Sequence, residues 1–167
     1  MLVLLLGGAR SGKSALAERM VTRCGLPITY LATAVVTDAD MARRVAAHQT
    51  RRPANWQTIE TSTDLARTLQ ETAGTVLVDA LGTWLAAHHD FVADDAALVA
   101  ALRSRQGDTV VVSEEVGLGV HPETALGRLF RDRLGELNQA VAAVADRVLL
   151  VVAGRTLDLA APEERLP

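Results

Sequence analysis

Short apolar runs recur along the chain at Leu2–Leu6, Ile28–Ala32, Thr75–Asp79, Thr109–Ser113 and Arg147–Ala153. Runs of this length without polar alternation predict strands covered on both faces. Gln57–Glu60 adds a further strand candidate. Between these runs the period changes. Behind Pro122–Glu123, the positions Leu126, Leu129, Phe130, Leu134, Leu137, Val141 and Val144 place one apolar stripe along a long helix. Gly127 and Gly135 within that stripe cost about 1 kcal/mol each relative to alanine, so close packing is expected beside them. Asp64–Thr72 and Asp95–Arg105 predict shorter helices whose acidic openings suit the positive helix N-terminus. Strands alternating with helices predict an α/β fold, a mainly parallel sheet flanked by helices. No linker or repeat divides residues 1–167, which read as a single domain.

Composition narrows this picture. Apolar residues make up 49% of the chain and aromatic ones 3%, so the core must be aliphatic and the chain is not a disordered one. With 17 basic and 20 acidic residues the net charge is -3, which provides no electrostatic footprint for nucleic acid or an anionic membrane. Any anionic ligand must be held locally. Cys24 is the single cysteine, which excludes an internal disulfide and a multi-cysteine zinc cluster. A reducing cytoplasm is the expected compartment. The opening "MLVLLLGGA" has no basic leader, and its apolar run stops at Leu6. It reads as a buried strand rather than a signal sequence or membrane span.

That strand leads directly into candidate chemistry. "GGARSGKS" contains Gly7-x4-Gly12-Lys13-Ser14, the P-loop spacing, between a strand and the helical "ALAERMV". Its glycines let N–H groups turn inward around phosphate oxygens, and the next helix adds its positive end. Gly7, Gly8, Ala9, Arg10, Ser11, Gly12, Lys13 and Ser14 are therefore the phosphate-binding candidates. Lys13 would reach the outer phosphates, and the Ser14 hydroxyl would hold Mg²⁺. "VLVDALGTW" ends a strand on Asp79, which either ligates that metal or caps the next turn. "TVVVSEEVGLG" ends a second strand on Glu114 and Glu115. In a parallel sheet Glu115 would face the same crevice and serve the metal; the alternative is a solvated loop carboxylate. These features point to a Mg-nucleotide enzyme transferring phosphoryl groups, without naming the acceptor.

Longer segments carry more information: "YLATA", "MARRVAAHQTRRPANW", "VLVDALGTW", "EEVGLGVHPE" and "FRDRLGELNQAVAAVADRVLLVVAG". Together with the P-loop and in this order, they resemble the bifunctional adenosylcobinamide kinase / adenosylcobinamide-phosphate guanylyltransferases of cobalamin synthesis. The resemblance covers nearly the whole chain, and its H-x-x-x-R-P-x-x-W and FRD…NQ blocks are the most specific parts. It implies a P-loop NTPase of RecA-like type. It implies phosphorylation of adenosylcobinamide with ATP or GTP, then transfer of GMP from GTP to give adenosylcobinamide-GDP and pyrophosphate. It places the guanylylated histidine on His48 and further nucleotide contacts on Thr33, Ala34, His48 to Arg52, Glu60 and Asp79. It also implies a homo-oligomer, a trimer. The chain departs from the family pattern at Glu114, where asparagine is expected, at "ALG" after Asp79, and at Ala47.

The implied relay makes chemical sense. One P-loop cannot align both the γ- and the α-phosphorus for direct attack, and a covalent histidine intermediate removes that conflict. A histidine with an unperturbed pKa near 6.5 is mostly neutral at pH 7 and therefore nucleophilic. Arg51 and Arg52 would neutralise developing phosphoryl charge and discourage protonation of His48. Two other readings use the same P-loop: a plain small-molecule kinase in which His48 is idle, and a nucleotide-driven switch. His88, His89 and Asp90 read as a polar loop, and Trp56 as a partly buried structural residue.

Overall fold

The computed structural model describes residues 1–34, 43 and 53–161. Its strands are β1 (Leu2–Gly7), β2 (Ile28–Ala32), β3 (Gln57–Glu60), β4 (Thr75–Asp79), β5 (Thr109–Glu114), β6 (Arg147–Val152) and β7 (Arg155–Leu159). The helices among the described residues are α1 (Lys13–Cys24), α2 (Leu65–Glu71), α3 (Leu81–Ala86), α4 (Asp95–Ser104) and α5 (Ala125–Ala142). A single 3-10 turn, His89–Phe91, follows α3. The strands form one seven-stranded sheet in the order β3-β2-β4-β5-β1-β6-β7. All neighbouring pairs are parallel except β6 with β7.

The two-residue period of β1 divides the core. Leu2, Leu4 and Leu6 pack with Leu65, Leu69, Val76, Val78, Leu98, Leu134, Leu137 and Val141, beneath α2 to α5. Val3 and Leu5 point the other way, to Ala17 and Val21 of α1 and to Leu77, Val110, Val112 and Val151. The runs of β1, β2, β4 and β5 lie in this sandwich, whereas the Arg147–Ala153 run is covered only at its centre, with Leu149 and Val151 buried and Arg147, Val152 and Ala153 exposed. The aliphatic core expected from composition is what is observed, with Trp84 its largest fully buried side chain. Trp56 is also buried, against the α1 face, as a structural residue.

Helix starts follow local chemistry. Asp94 caps α4 by accepting from the Ala97 N–H at 2.9 Å, and Thr124 caps α5 by accepting from Gly127 at 3.0 Å. The long helix thus begins two residues after the expected Pro122–Glu123 opening, where the threonine hydroxyl is available. Two elements escaped the hydrophobic pattern. Helix α3 is short and continues directly from the Asp79 strand. Strand β7 is exposed at all five positions, so it carries no burial period. It folds back through Ala153–Gly154, whose positive φ values of 50 and 73 suit a tight hairpin turn.

The end of the sheet opposite the P-loop is tied by one guanidinium. Arg105 donates to the Leu69, Thr72 and Gly74 carbonyls and to the Thr109 hydroxyl, joining the α2–β4 and α4–β5 connections. Burial lowers its pKa from the ordinary arginine value. Removing it leaves several carbonyls without a donor. Arg105→Ala is expected to cost about 2–3 kcal/mol of unfolding free energy in chemical denaturation, with Arg105→Lys recovering only part.

Candidate active site

The site lies beyond the C-terminal ends of β1, β4 and β5, where α1 leaves on one face and α5 on the other. Ligands of open α/β sheets bind in such a crevice. Gly7 to Ser14 form the turn from β1 into α1. Ser11 N–H donates to the Gly8 carbonyl at 3.3 Å, and Leu16 N–H to the Gly12 carbonyl at 3.0 Å. Gly12 has φ +97, and a Cβ there would lie 3.3 Å from the Gly154 Cα. A side chain would therefore be strained at this position. Gly154 N–H also donates to the Ser11 carbonyl at 2.8 Å, so the β6–β7 hairpin braces the loop from outside. Gly8, Ala9, Arg10 and Gly12 are exposed to incoming ligand, whereas Ser11 and Lys13 are buried. The Ser11 hydroxyl is buried without a hydrogen-bond partner among the described residues.

Two strand ends bring acid groups to this loop. The Ser14 hydroxyl donates to Asp79 Oδ1 at 3.4 Å, and the Tyr30 hydroxyl donates to Asp79 Oδ2 at 2.6 Å. Asp79 thus faces Ser14 at the start of α1. A hydroxyl cluster holds the backbone just beyond it: the buried Thr33 Oγ1 accepts from Ala80 N–H at 2.9 Å and lies 2.6 Å from the Thr83 hydroxyl. Thr83 also donates to the Ala80 carbonyl at 3.0 Å. The Thr33 side chain is engaged in shaping the end of β4. Ala34 follows it, half-buried at the rim.

The two adjacent glutamates at the end of β5, Glu114 its last residue and Glu115 the first beyond it, have different surroundings. Glu114 stands 3.9 Å from the Lys13 ammonium, while Lys13 donates to the Gly8 carbonyl at 3.3 Å. Glu114 also accepts from Gly82 N–H at 3.2 Å. Burial raises its pKa above the usual carboxylate range, Lys13 pulls it back, and the negative charge of Asp79 adds to the rise. Glu115 instead turns along its own loop and accepts from Gly117 N–H at 2.6 Å and Leu118 N–H at 3.2 Å. The carboxylate beside the P-loop lysine is therefore that of Glu114, and the Glu115 side chain caps a turn. Alternation explains the difference, because consecutive side chains leave a strand on opposite sides. The NQ pair of α5 contributes here as well. Buried Asn138 donates to the Glu114 carbonyl at 3.1 Å and accepts from the Ser113 hydroxyl at 2.6 Å.

Glu60 lies elsewhere. It ends the edge strand β3 and lines a shallow groove of about 410 Å³ with Thr61, Asp64 and Arg67. The strand order puts it four strands from β1, or roughly 19 Å at 4.8 Å per strand. Nucleotide phosphates in the P-loop and a group at Glu60 would occupy opposite halves of the crevice. His48, Arg51 and Arg52 lie outside the described residues. His88 bonds the Trp84 carbonyl through Nδ1 at 2.9 Å, as befits a local loop contact.

Tyr30, Thr83 and Asn138 were not apparent as site residues. Tyr30 and Thr83 lie inside the YLATA and VLVDALGTW segments, but their spacing carries no chemistry until β2 and β4 are paired. Hard oxygen donors from Ser14 and Asp79 suit magnesium, which takes few protein ligands when phosphates supply others. Among the described residues, no group of three or more His, Cys, Asp or Glu side chains forms a protein-only metal cage.

Comparison with known proteins agrees with this arrangement. Residues 3–159 match the family described as cobinamide kinase / cobinamide phosphate guanyltransferase. The chain is 43% identical to the bifunctional adenosylcobalamin biosynthesis protein CobP of Pseudomonas aeruginosa, covering 93% of this chain and 95% of that protein. It is 39% identical to CobU of Salmonella typhimurium and 33% identical to CobU of Escherichia coli. Each of these alignments covers 92% of this chain and 97% of the relative. A solved structure from Pyrococcus horikoshii shares the fold, with a TM-score of 0.51 at 11% identity, over 94% of this chain and 84% of that one. No described helix is long and apolar enough to cross a membrane. The P-loop crevice thus belongs to a nucleotide-using transferase, and the chain is a member of the cobinamide kinase / cobinamide phosphate guanyltransferase family.

Proposed function

We propose that this chain carries out two successive steps: it phosphorylates the terminal hydroxyl of adenosylcobinamide, then transfers GMP from GTP onto that phosphate through His48. The observation that carries the kinase half is the convergence of Lys13, Ser14 and Asp79 on one turn. In the first step the P-loop N–H groups and Lys13 bind and orient the β- and γ-phosphates of ATP or GTP. Ser14 and Asp79 would hold Mg²⁺, and Tyr30 keeps the Asp79 carboxylate turned toward Ser14. When bound, the metal supplies charge neutralisation on the phosphates. The acceptor hydroxyl oxygen forms a bond to the γ-phosphorus and gives up its proton to water, the bond to the β,γ-bridging oxygen breaks, and the nucleoside diphosphate leaves.

In the second step a neutral His48 nitrogen attacks the α-phosphorus of GTP. A phosphorus–nitrogen bond forms and pyrophosphate departs. The phosphate oxygen of the acceptor then attacks the same phosphorus, forming the diphosphate linkage and returning imidazole. Arg51 and Arg52 would neutralise charge during both transfers. The separation of Glu60 from the P-loop supports a second nucleotide position, with Glu60 and Ala34 as contacts on that side. The family resemblance further supports a cytoplasmic homo-oligomer, a trimer, acting on small molecules rather than nucleic acid. Glu115 enters the proposal only as a loop cap, leaving Ser14 and Asp79 as the protein's metal ligands.

A plain kinase is the competing reading, and the position of the label separates the two. GTP labelled at the α-phosphate is expected to yield an acid-labile protein adduct that adenosylcobinamide phosphate discharges, whereas γ-labelled GTP does not yield that adduct. His48→Ala is expected to abolish the adduct and to lower guanylyl transfer by at least about 1,000-fold. The relay fails if α-labelled GTP leaves the wild-type protein unlabelled.

The metal-binding pair is tested by substitution. Asp79→Asn is expected to reduce kinase kcat by about 100-fold or more. Tyr30→Phe, which only releases the orientation of that carboxylate, is expected to cost less than about tenfold. Steady-state kinetics at saturating nucleotide would show the order of the two effects.

A further inference from the structure

Lys13 is 9% exposed, and its ammonium faces a carboxylate before any phosphate arrives. That carboxylate is held in place. Glu114 Oε2 accepts from Gly82 N–H, the Glu114 carbonyl is bound by Asn138, and Glu115 N–H donates to the Gly7 carbonyl at 3.1 Å. The fit at α3 is close: a Cβ on Gly82 would stand 2.2 Å from Glu114 Oε2. Glycine at position 82 therefore lets the carboxylate rest on the helix backbone beside the P-loop.

We propose that Glu114 is a positioning residue that competes with nucleotide phosphates for Lys13. It holds the lysine against the end of β5, and phosphate binding must draw the ammonium away from it. Attraction between partly buried opposite charges is only modestly screened by solvent, so exchanging one anionic partner for another has a real energetic consequence. A triphosphate wins because it brings several charges and also receives the loop N–H groups, which Glu114 does not. The difference between the two partners sets the affinity. Glu114 thereby weakens nucleotide binding and speeds release of the spent diphosphate, without touching the reacting atoms. The inference rests on the proposed binding of nucleotide phosphates by the P-loop.

The test is binding of a fluorescent ribose-labelled GTP analogue in the absence of divalent metal, to four proteins: wild type, Glu114→Gln, Lys13→Ala and the double variant. Glu114→Gln is expected to lower Kd by about five- to tenfold. In the Lys13→Ala background the same change is expected to alter Kd by less than about twofold, since the residue acts through the lysine. The KM for nucleotide should fall along with Kd in the kinase assay, whereas a merely structural role would lower kcat and Tm instead. If Glu114→Gln does not fold, Glu114→Asn carries the same expectation. An unchanged or weaker Kd in a folded variant overturns the proposal, as does an equal gain in both backgrounds. Wild-type protein that binds no nucleotide even when Mg²⁺ is added would overturn the functional reading along with this one, whereas wild-type binding with no gain overturns this one alone.

Discussion

The parallel register between β1 and β5 is the constraint on which the rest of the molecule depends. Leu2 pairs with Thr109 and the match continues without a break to Gly7 and Glu114. A slip of one residue would turn Val3 and Leu5 toward the wrong helices and reverse the side chains at the strand ends. Burial of both faces of β1 makes such a slip costly, because two aliphatic cores would lose their partners together. The same pairing that fills the core thus delivers Glu114, and not Glu115, to the P-loop lysine.

Charge at the crevice is arranged as a balance. Lys13 is buried beside Glu114, and Asp79 lies near enough to raise the Glu114 pKa further. Isolated charges in such surroundings would be unfavourable, so each has a partner or a backbone donor. Hydroxyl groups complete the arrangement. Tyr30 and Ser14 grip Asp79 from two sides, and Thr33 and Thr83 hold the backbone at Ala80. The Asp79 carboxylate and the backbone beyond it are therefore oriented by the fold before ligand arrives, which is where electrostatic catalysis gains most.

Support comes from contacts around the crevice and beyond it. Asn138 of α5 holds the end of β5, the β6–β7 hairpin braces the P-loop through Gly154, and Arg105 closes the opposite end of the sheet. Arg128 belongs to the same class: it donates to the Pro122 and Glu123 carbonyls and fixes the loop leading into α5.

By itself the sequence determined six of the seven strands of the sheet, the α/β class and the phosphate loop. Those depend on local quantities: apolar runs of strand length, a helical period, and glycine spacing around a lysine. The ordered blocks around His48, Asp79 and Asn138 also carried the family resemblance, which the profile match and the relatives bear out. Strand β7 was not legible, because a wholly exposed strand has no burial pattern to display. Pairing of Ser14 with Asp79 was anticipated through a shared metal, but Tyr30 as a partner of Asp79 was not legible. Tyr30 is 49 residues away and Ser14 is 65 residues away, and only the pairing of β2 with β4 and the sheet order unite them. The choice between Glu114 and Glu115 belonged to tertiary structure for the same reason. Two adjacent carboxylates look alike in a sequence, but a strand sends them to opposite sides, and only the helix packed beside it decides which one meets the lysine.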